Sequence, residues 1–516
     1  MFRTLATSTV ALIAGAAPLF AEVTPAQVWE NLTSYYDKIG YEVVVGTQED
    51  GGDTLTLGDV VVKSPESEDY TVSVNMPKIT LSRTGDAKVR TVFDGDIDVD
   101  FTTAVPEGED IDFDMTISMP GNEMVTSGTP EDLLHEFNYP SMVMALNLPQ
   151  AETDGDTAPV TVTMTDIKGT QTTKVSDGTE SVYDMTAASL AVAMAMNEPA
   201  AEDGTPRDGR MTAAFDIADL VMSGSMTTPE GEMDLTNDIA GALNAGMVTD
   251  GKFVMGPMTG TFDFTATDEA GGPRNGAGTF SAENGELVVA MSKEGVSYEG
   301  KSGRTEAEMT VADLPFPISY ALDGASGAVS FPVAKSDQPQ PFKFAYEIAG
   351  LTLADGIWDL FDEGGQLPRD PAMLAIDLEG EALVSQDLFD PAFGQMAAEG
   401  EDAAMADEDM PFLPQNVKIN RVALDAVGAT ADVTGQLDLS DNPQEPVGEI
   451  NGSFSGVNGL LDKLIAMGLV PQEQAMGVRM MLAMFAKPVD GDPDRLETKL
   501  EFREGGSIFA NGQQVK

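Results

Sequence analysis

The sequence predicts a mainly β protein: a long, twisted antiparallel meander or groove, with an N-terminal helix and a C-terminal αα-hairpin. Three observations predict it. Apolar and polar residues alternate with a period of two over many segments between Tyr41 and about Gly380. Turn dipeptides punctuate these segments, among them Asp94-Gly95, Asp177-Gly178, Asp250-Gly251, Asn284-Gly285 and Asp323-Gly324. Helical periodicity is strongest near the two ends of the chain. The expected organisation is a signal peptide over residues 1–21, a helix plus β meander over 22–395, an acidic mobile loop over 396–411, and a C-terminal β and αα-hairpin module over 412–516.

Met1-Phe2-Arg3 is a short basic start, and Leu5 to Leu19 carries no charge before Leu19-Phe20-Ala21 and Glu22. This is the pattern of a secretory signal cut after Ala21. It predicts an exported protein in the periplasm or cell envelope, with no transmembrane span once the signal is removed. Thr24-Pro25-Ala26-Gln27 then offers a capping Thr, a Pro at the first helical position and a Gln three residues on. Val28, Leu32, Tyr35 and Ile39 make an apolar stripe, widened by Trp29 and Tyr36, and Gly40 stops the helix. Ile111 to Met119, Ile97 to Phe101, Val160 to Met164 and Phe342 to Ile348 alternate as half-buried strands with one wet face. Breaks fall at Pro149–Pro159, Glu198–Arg210 and Gln395–Pro411.

Near the C-terminus, Leu460 to Met467 reads as one helix stopped by Gly468, and Gln472 to Ala486 as a second, opened by Pro471 and stopped by Pro488. The second is apolar around nearly all of its circumference, so its residues must pack in a core or face a ligand. Met476, Met480, Met481, Leu482 and Phe485 are the candidate ligand- or core-facing residues. Leu496 to Phe502 and Ser507 to Ala510 close the chain as strands.

Charge and composition exclude several function classes. The chain has 86 acids against 28 Lys plus Arg, a net charge of −58. That field repels nucleic acid and anionic membrane surfaces. Cysteine is absent and His135 is the sole histidine, so thiolate sites, cysteine nucleophiles and multi-histidine metal sites are excluded. His135, within Pro130-Glu131-Asp132-Leu133-Leu134-His135-Glu136, reads as an exposed residue on a short helix, and no Gly-x-Ser-x-Gly elbow accompanies it. Gly295 to Ser302 matches the phosphate-loop pattern, with Met373 to Asp377 as a formal metal strand. Alternation through Glu306 to Val311 predicts a further strand where nucleotide chemistry needs a helix. Asp94, Asp96, Asp98 and Asp100, and likewise Asp490, Asp492 and Asp494, lack the spacing of a calcium loop and read as solvated faces. No cofactor or resident metal is expected.

The run Gly459-Leu460-Leu461-Asp462-Lys463-Leu464, then Met467-Gly468-Leu469-Val470-Pro471, Gln474 to Leu482 and Phe509-Ala510-Asn511-Gly512-Gln513, resembles the C-terminal end of an uncharacterised bacterial exported family, domain of unknown function 2125. The start Thr24 to Trp29 and Gly40-Tyr41 are similar as well. The closing order of strand, two helices and hairpin also resembles, at the level of fold alone, envelope proteins with long lipid-lining β grooves. The resemblance implies no catalytic residues. The functional expectation is a non-enzymatic envelope protein holding lipid or another amphiphile on an apolar sheet face. The alternatives are a structural or partner-binding periplasmic protein with a closed core, and a carboxylate-dependent hydrolase.

Overall fold

A computed structural model describes residues 23–38, 40–65, 70–103, 111–148, 159–198, 209–231, 238–267, 273–312, 314–390, 411–440 and 442–516. The signal segment and the acidic loop, apart from Pro411, lie outside these residues.

The first helix, α1, spans Pro25–Lys38. Its capping box forms as the sequence dictates: the Thr24 backbone N–H donates to Gln27 Oε1 at 3.0 Å, and the Gln27 N–H donates back to Thr24 Oγ1 at 3.3 Å. Val28 and the preceding Val23 are fully buried against Leu55, Leu57, Ile79, Leu81 and Leu133, with Trp29 and Leu32 packed on the same cluster. Burying one such aliphatic side chain contributes about 2 kcal/mol, so α1 is fixed by its packing more than by its own propensity.

The rest is one antiparallel meander. Each row of the sheet pairs with the rows before and after it in sequence, from Glu42–Asp50 and Thr54–Lys63 through to Asp492–Arg503 and Ser507–Ala510. Several rows consist of two collinear strands. Val248–Met255 and Met258–Thr267 both pair with the single long strand Arg210–Pro229, for example. Among the described residues no pairing joins the first strand to the last, so the sheet is open. Asp59, Asp166 and Asp219 adopt positive φ inside strands. At Asp59 the pairing skips a residue on each strand, between Val45 opposite Val60 and Thr47 opposite Gly58. Such irregularities add twist to the sheet.

The two ends of the sheet differ. At one end, short turns such as Thr129 to Asp132 and Ser176 to Gly178 join the strands, together with a helix that the sequence reading missed, α2 (Ile239–Ala245). Asp238 caps it through Gly241 N–H, and Gly246 ends it at φ +110°. Leu243 and Ala242 pack with Met226, Met291, Val296, Phe331 and Phe389. The strand residues among these come from the strand before α2 and from three consecutive rows further on, so α2 packs across several rows at this end. At the opposite end lie the short helix α3 (Asp355–Asp359), also missed, and the expected hairpin, α4 (Val457–Ala466) and α5 (Gln472–Phe485). The Asp494 carboxylate accepts from Asn458 and Gly459 N–H at the start of α4. Thr498 Oγ1 and Asn511 Nδ2 both donate to the carbonyl of Phe485 at the end of α5, which pins the hairpin to the last strands. Among the described residues no helix is long and apolar enough to cross a membrane.

One expectation is corrected. His135 lies in the strand Asp132–Asn147 and is 4% exposed, not on the surface of a helix. Pro130 and Glu131 form the turn between two strands, and Leu133, His135 and Phe137 then alternate inward. The Pro and acids that mimic a helix start here serve a tight turn.

Candidate functional site

Directly paired residues of an antiparallel sheet share a face, so the register traces each face across the molecule. One cross-strand line runs Leu55, Leu81, Thr91, Met124, Phe137, Gly169, Met185, Met222 and Phe253. It continues through Leu287, Gly300, Gly327, Tyr346, Ile376, Val422, Val433, Gly452 and Thr498. No member carries a charge. At about 4.8 Å per strand, the line measures about 80 Å along the sheet. The line one residue over, on the opposite face, reads Ser82, Arg90, Val125, Glu136, Thr170, Asp184, Ser223 and Lys252. The sheet therefore has an apolar floor and a charged back.

The back is laced by cross-strand ion pairs, such as Lys88 with Glu136 at 3.0 Å and Arg90 with Glu123 at 2.8 Å. The lysine of the phosphate-loop pattern belongs here. Gly295–Ser302 is a strand paired on both sides, and Lys301 Nζ sits 3.3 Å from Glu286. The Lys252 ammonium first, and Lys301 after it, hold the Glu286 carboxyl below its ordinary pKa. Met373 to Asp377 lies in the strand Ala372–Val384. Asp98 and Asp100 face the charged back, where Asn75 Nδ2 donates to Asp100 at 2.9 Å. Among the described residues no three acids or histidines converge as metal ligands.

Cover over the floor is uneven. Under α1 the floor is sealed: Leu57, Leu81, Val89 and Leu133 have no exposed surface. This region also holds a small polar island. Thr126 Oγ1 lies 2.8 Å from His135 Nδ1, and Thr91 Oγ1 is buried with no partner. Burial pushes the His135 imidazole down to about 4 and the Tyr139 phenol up to about 12. Among the described residues the floor from the strand Arg210–Pro229 onward is covered only in places, such as Leu220 and Val296, and much of it is open. Met211, Met222, Leu287, Tyr298, Tyr320, Phe344, Tyr346 and Leu424 all lie on the apolar face and remain 38–50% exposed. Glycines opposite aromatic residues keep this floor low. A Cβ at Gly276, Gly278, Gly260 or Gly380 would collide with the ring of Phe264, Phe262, Phe280 or Phe342, so each ring lies across its neighbouring strand.

The candidate residues of α5 divide. Leu482 and Phe485 are half-buried on the side toward the sheet, with Ala475 buried beside them, whereas Met476, Met480 and Met481 are 56–66% exposed. The open middle of the floor was not resolved into residues by sequence reasoning. The alternation signal was present there, but nothing local distinguishes a covered strand from a bare one.

Residues 278–509 match the family described as an uncharacterized protein conserved in bacteria (DUF2125). The match begins in the open half of the floor, so the N-terminal segment Thr24 to Trp29 lies outside it. Neither the curated proteins nor the solved structures contain a match to this chain.

Proposed function

We propose that the protein holds the acyl chains of lipid on its apolar floor, without catalysis, in the envelope of the cell after cleavage at Ala21. The observation that carries this reading is the uncharged cross-strand line, whose middle rows expose Met222, Leu287 and Tyr346 among the described residues. Long exposed apolar strips mark ligand-binding grooves or interaction surfaces. The occupant's chemistry follows from what the floor offers. It presents side chains only, since the backbone groups of its rows are engaged in the ladder. A peptide laid upon it would leave its own N–H and C=O groups unpaired, which costs several kcal/mol in total. An acyl chain has no such groups and gains about 0.8 kcal/mol per buried methylene.

Protein purified from the cell envelope should release phospholipid into an organic extract, detected by mass spectrometry. Leu287→Asp, a charge on the bare floor, should leave the fold intact and empty it of lipid. A wild-type protein free of lipid, or a Leu287→Asp variant carrying as much as wild type, would refute the reading.

A further inference from the structure

We infer that the exposed methionine face of α5 is a docking surface for a lipid bilayer. Met476, Met480 and Met484 recur every four residues and so form one stripe, with Met481 beside it and Leu469 on the connecting turn. All five are exposed, 48–66% of their surface. The opposite side of the same helix packs on the protein through Ala475, Leu482 and Phe485, so the stripe is the part of α5 that the fold leaves over.

Charge selects the occupant. Between Val457 and Lys487 the acids are Asp462 and Glu473 and the bases are Lys463, Arg479 and Lys487. This module is one charge positive in a chain whose net charge is −58, so a membrane surface meets little repulsion here. Arg479 and Asp462 are paired with each other, and Glu473, in the first turn, is the one charge on the face of the stripe itself. Methionine suits such a surface, because its flexible thioether adapts to a disordered contact. Position completes the argument. The end of α5 is tied to Thr498, the last member of the uncharged floor line, so a bilayer touching the stripe lies at the edge of the floor. The inference builds on the acyl-chain reading, giving the floor a place to exchange lipid, and vesicle binding can be scored apart from lipid content.

The test uses the full mature chain and sedimentation with phosphatidylcholine vesicles, comparing wild type with a Met476→Gln, Met480→Gln, Met481→Gln triple variant. All three positions face solvent, so circular dichroism should be unchanged. Wild type should bind, and the variant should bind at least about tenfold more weakly, since apolar area buried in the interface sets the affinity. The variant's content of co-purified lipid should match that of wild type, because the floor is intact. Replacing part of the phosphatidylcholine by phosphatidylglycerol should weaken wild-type binding at low salt, through repulsion by the rest of the chain. Wild type that does not sediment, or a variant that sediments equally, overturns the inference whatever the lipid content. Loss of self-association in the variant, with no vesicle binding by either protein, would overturn it in favour of a second copy of the chain.

Discussion

The two halves of the floor are built from the same alternation and end in opposite states. Under α1, Leu57 and Leu133 are sealed, and the only histidine is kept neutral beside Thr126. Beyond Arg210, Leu287 and Tyr298 occupy equivalent inward positions, yet 45% and 50% of their surface meets solvent. The difference comes from what lies above the sheet, not from the sheet. One helix with a firm capping box closes the first rows, whereas α2 and the α4–α5 hairpin reach only the ends of the later ones. A period-two pattern thus specifies a face, and a separate element decides whether that face becomes a core or stays exposed.

The largest expected effect tests this contrast directly. Leu57→Asp places a carboxylate in the sealed cluster and should cost about 3–5 kcal/mol, or prevent folding. Leu287→Asp, the same change on the bare floor, should cost about 1 kcal/mol or less, because water reaches the carboxylate. Urea unfolding of both variants measures the difference. Equal losses would mean that the later rows are also covered, and the distinction between the halves would fail.

A smaller effect sharpens the account of the sealed half. The His135 imidazole titrates near 4 when folded and near 6.5 when unfolded. Between those values the unfolded chain binds a proton that the folded chain refuses, so stability rises with pH in this window. The contribution is complete above pH 6.5 and is lost as pH falls to about 4, a change of about 3 kcal/mol. Comparison with a variant that lacks the imidazole isolates this contribution. The measurement is therefore the difference in unfolding free energy between wild type and His135→Gln across that range. That difference should narrow by about 3 kcal/mol as pH falls to 4, and a constant difference would show that His135 is not held neutral.

Much of this architecture is legible in the sequence, and particular residues show where legibility stops. Thr24 and Gln27 announce α1, and Gly468 and Pro471 divide the closing hairpin, because caps and breakers act locally. The strand nature of Gly295 to Ser302 follows from alternation on both sides of a phosphate-loop pattern. In contrast, α2 escaped although Asp238 and Gly246 bracket it with a proper cap and stop. At seven residues it is too short to show a stripe, and it is stabilised by Met226, Met291 and Phe331 from three different rows of the sheet. His135 was misplaced because Pro130 with two acids suits a helix start as well as a turn. The openness of the floor is the least legible feature of all. Whether Tyr298 or Leu57 is covered depends on where a separate element such as α1 lies over the sheet, and the alternation of the strand itself does not encode it.

Met222 and Val221 give the most direct test of the central claim. They are adjacent on one strand, each is 38% exposed, and they point to opposite faces, Met222 to the apolar floor and Val221 to the charged back. A photo-cross-linking amino acid placed at either site, activated in intact cells, reports what each face touches. Mass spectrometry should find a lipid adduct on the protein labelled at position 222 and none on the protein labelled at 221. Lipid adducts of equal yield at both positions, or none at 222, would contradict an acyl-chain surface confined to the floor.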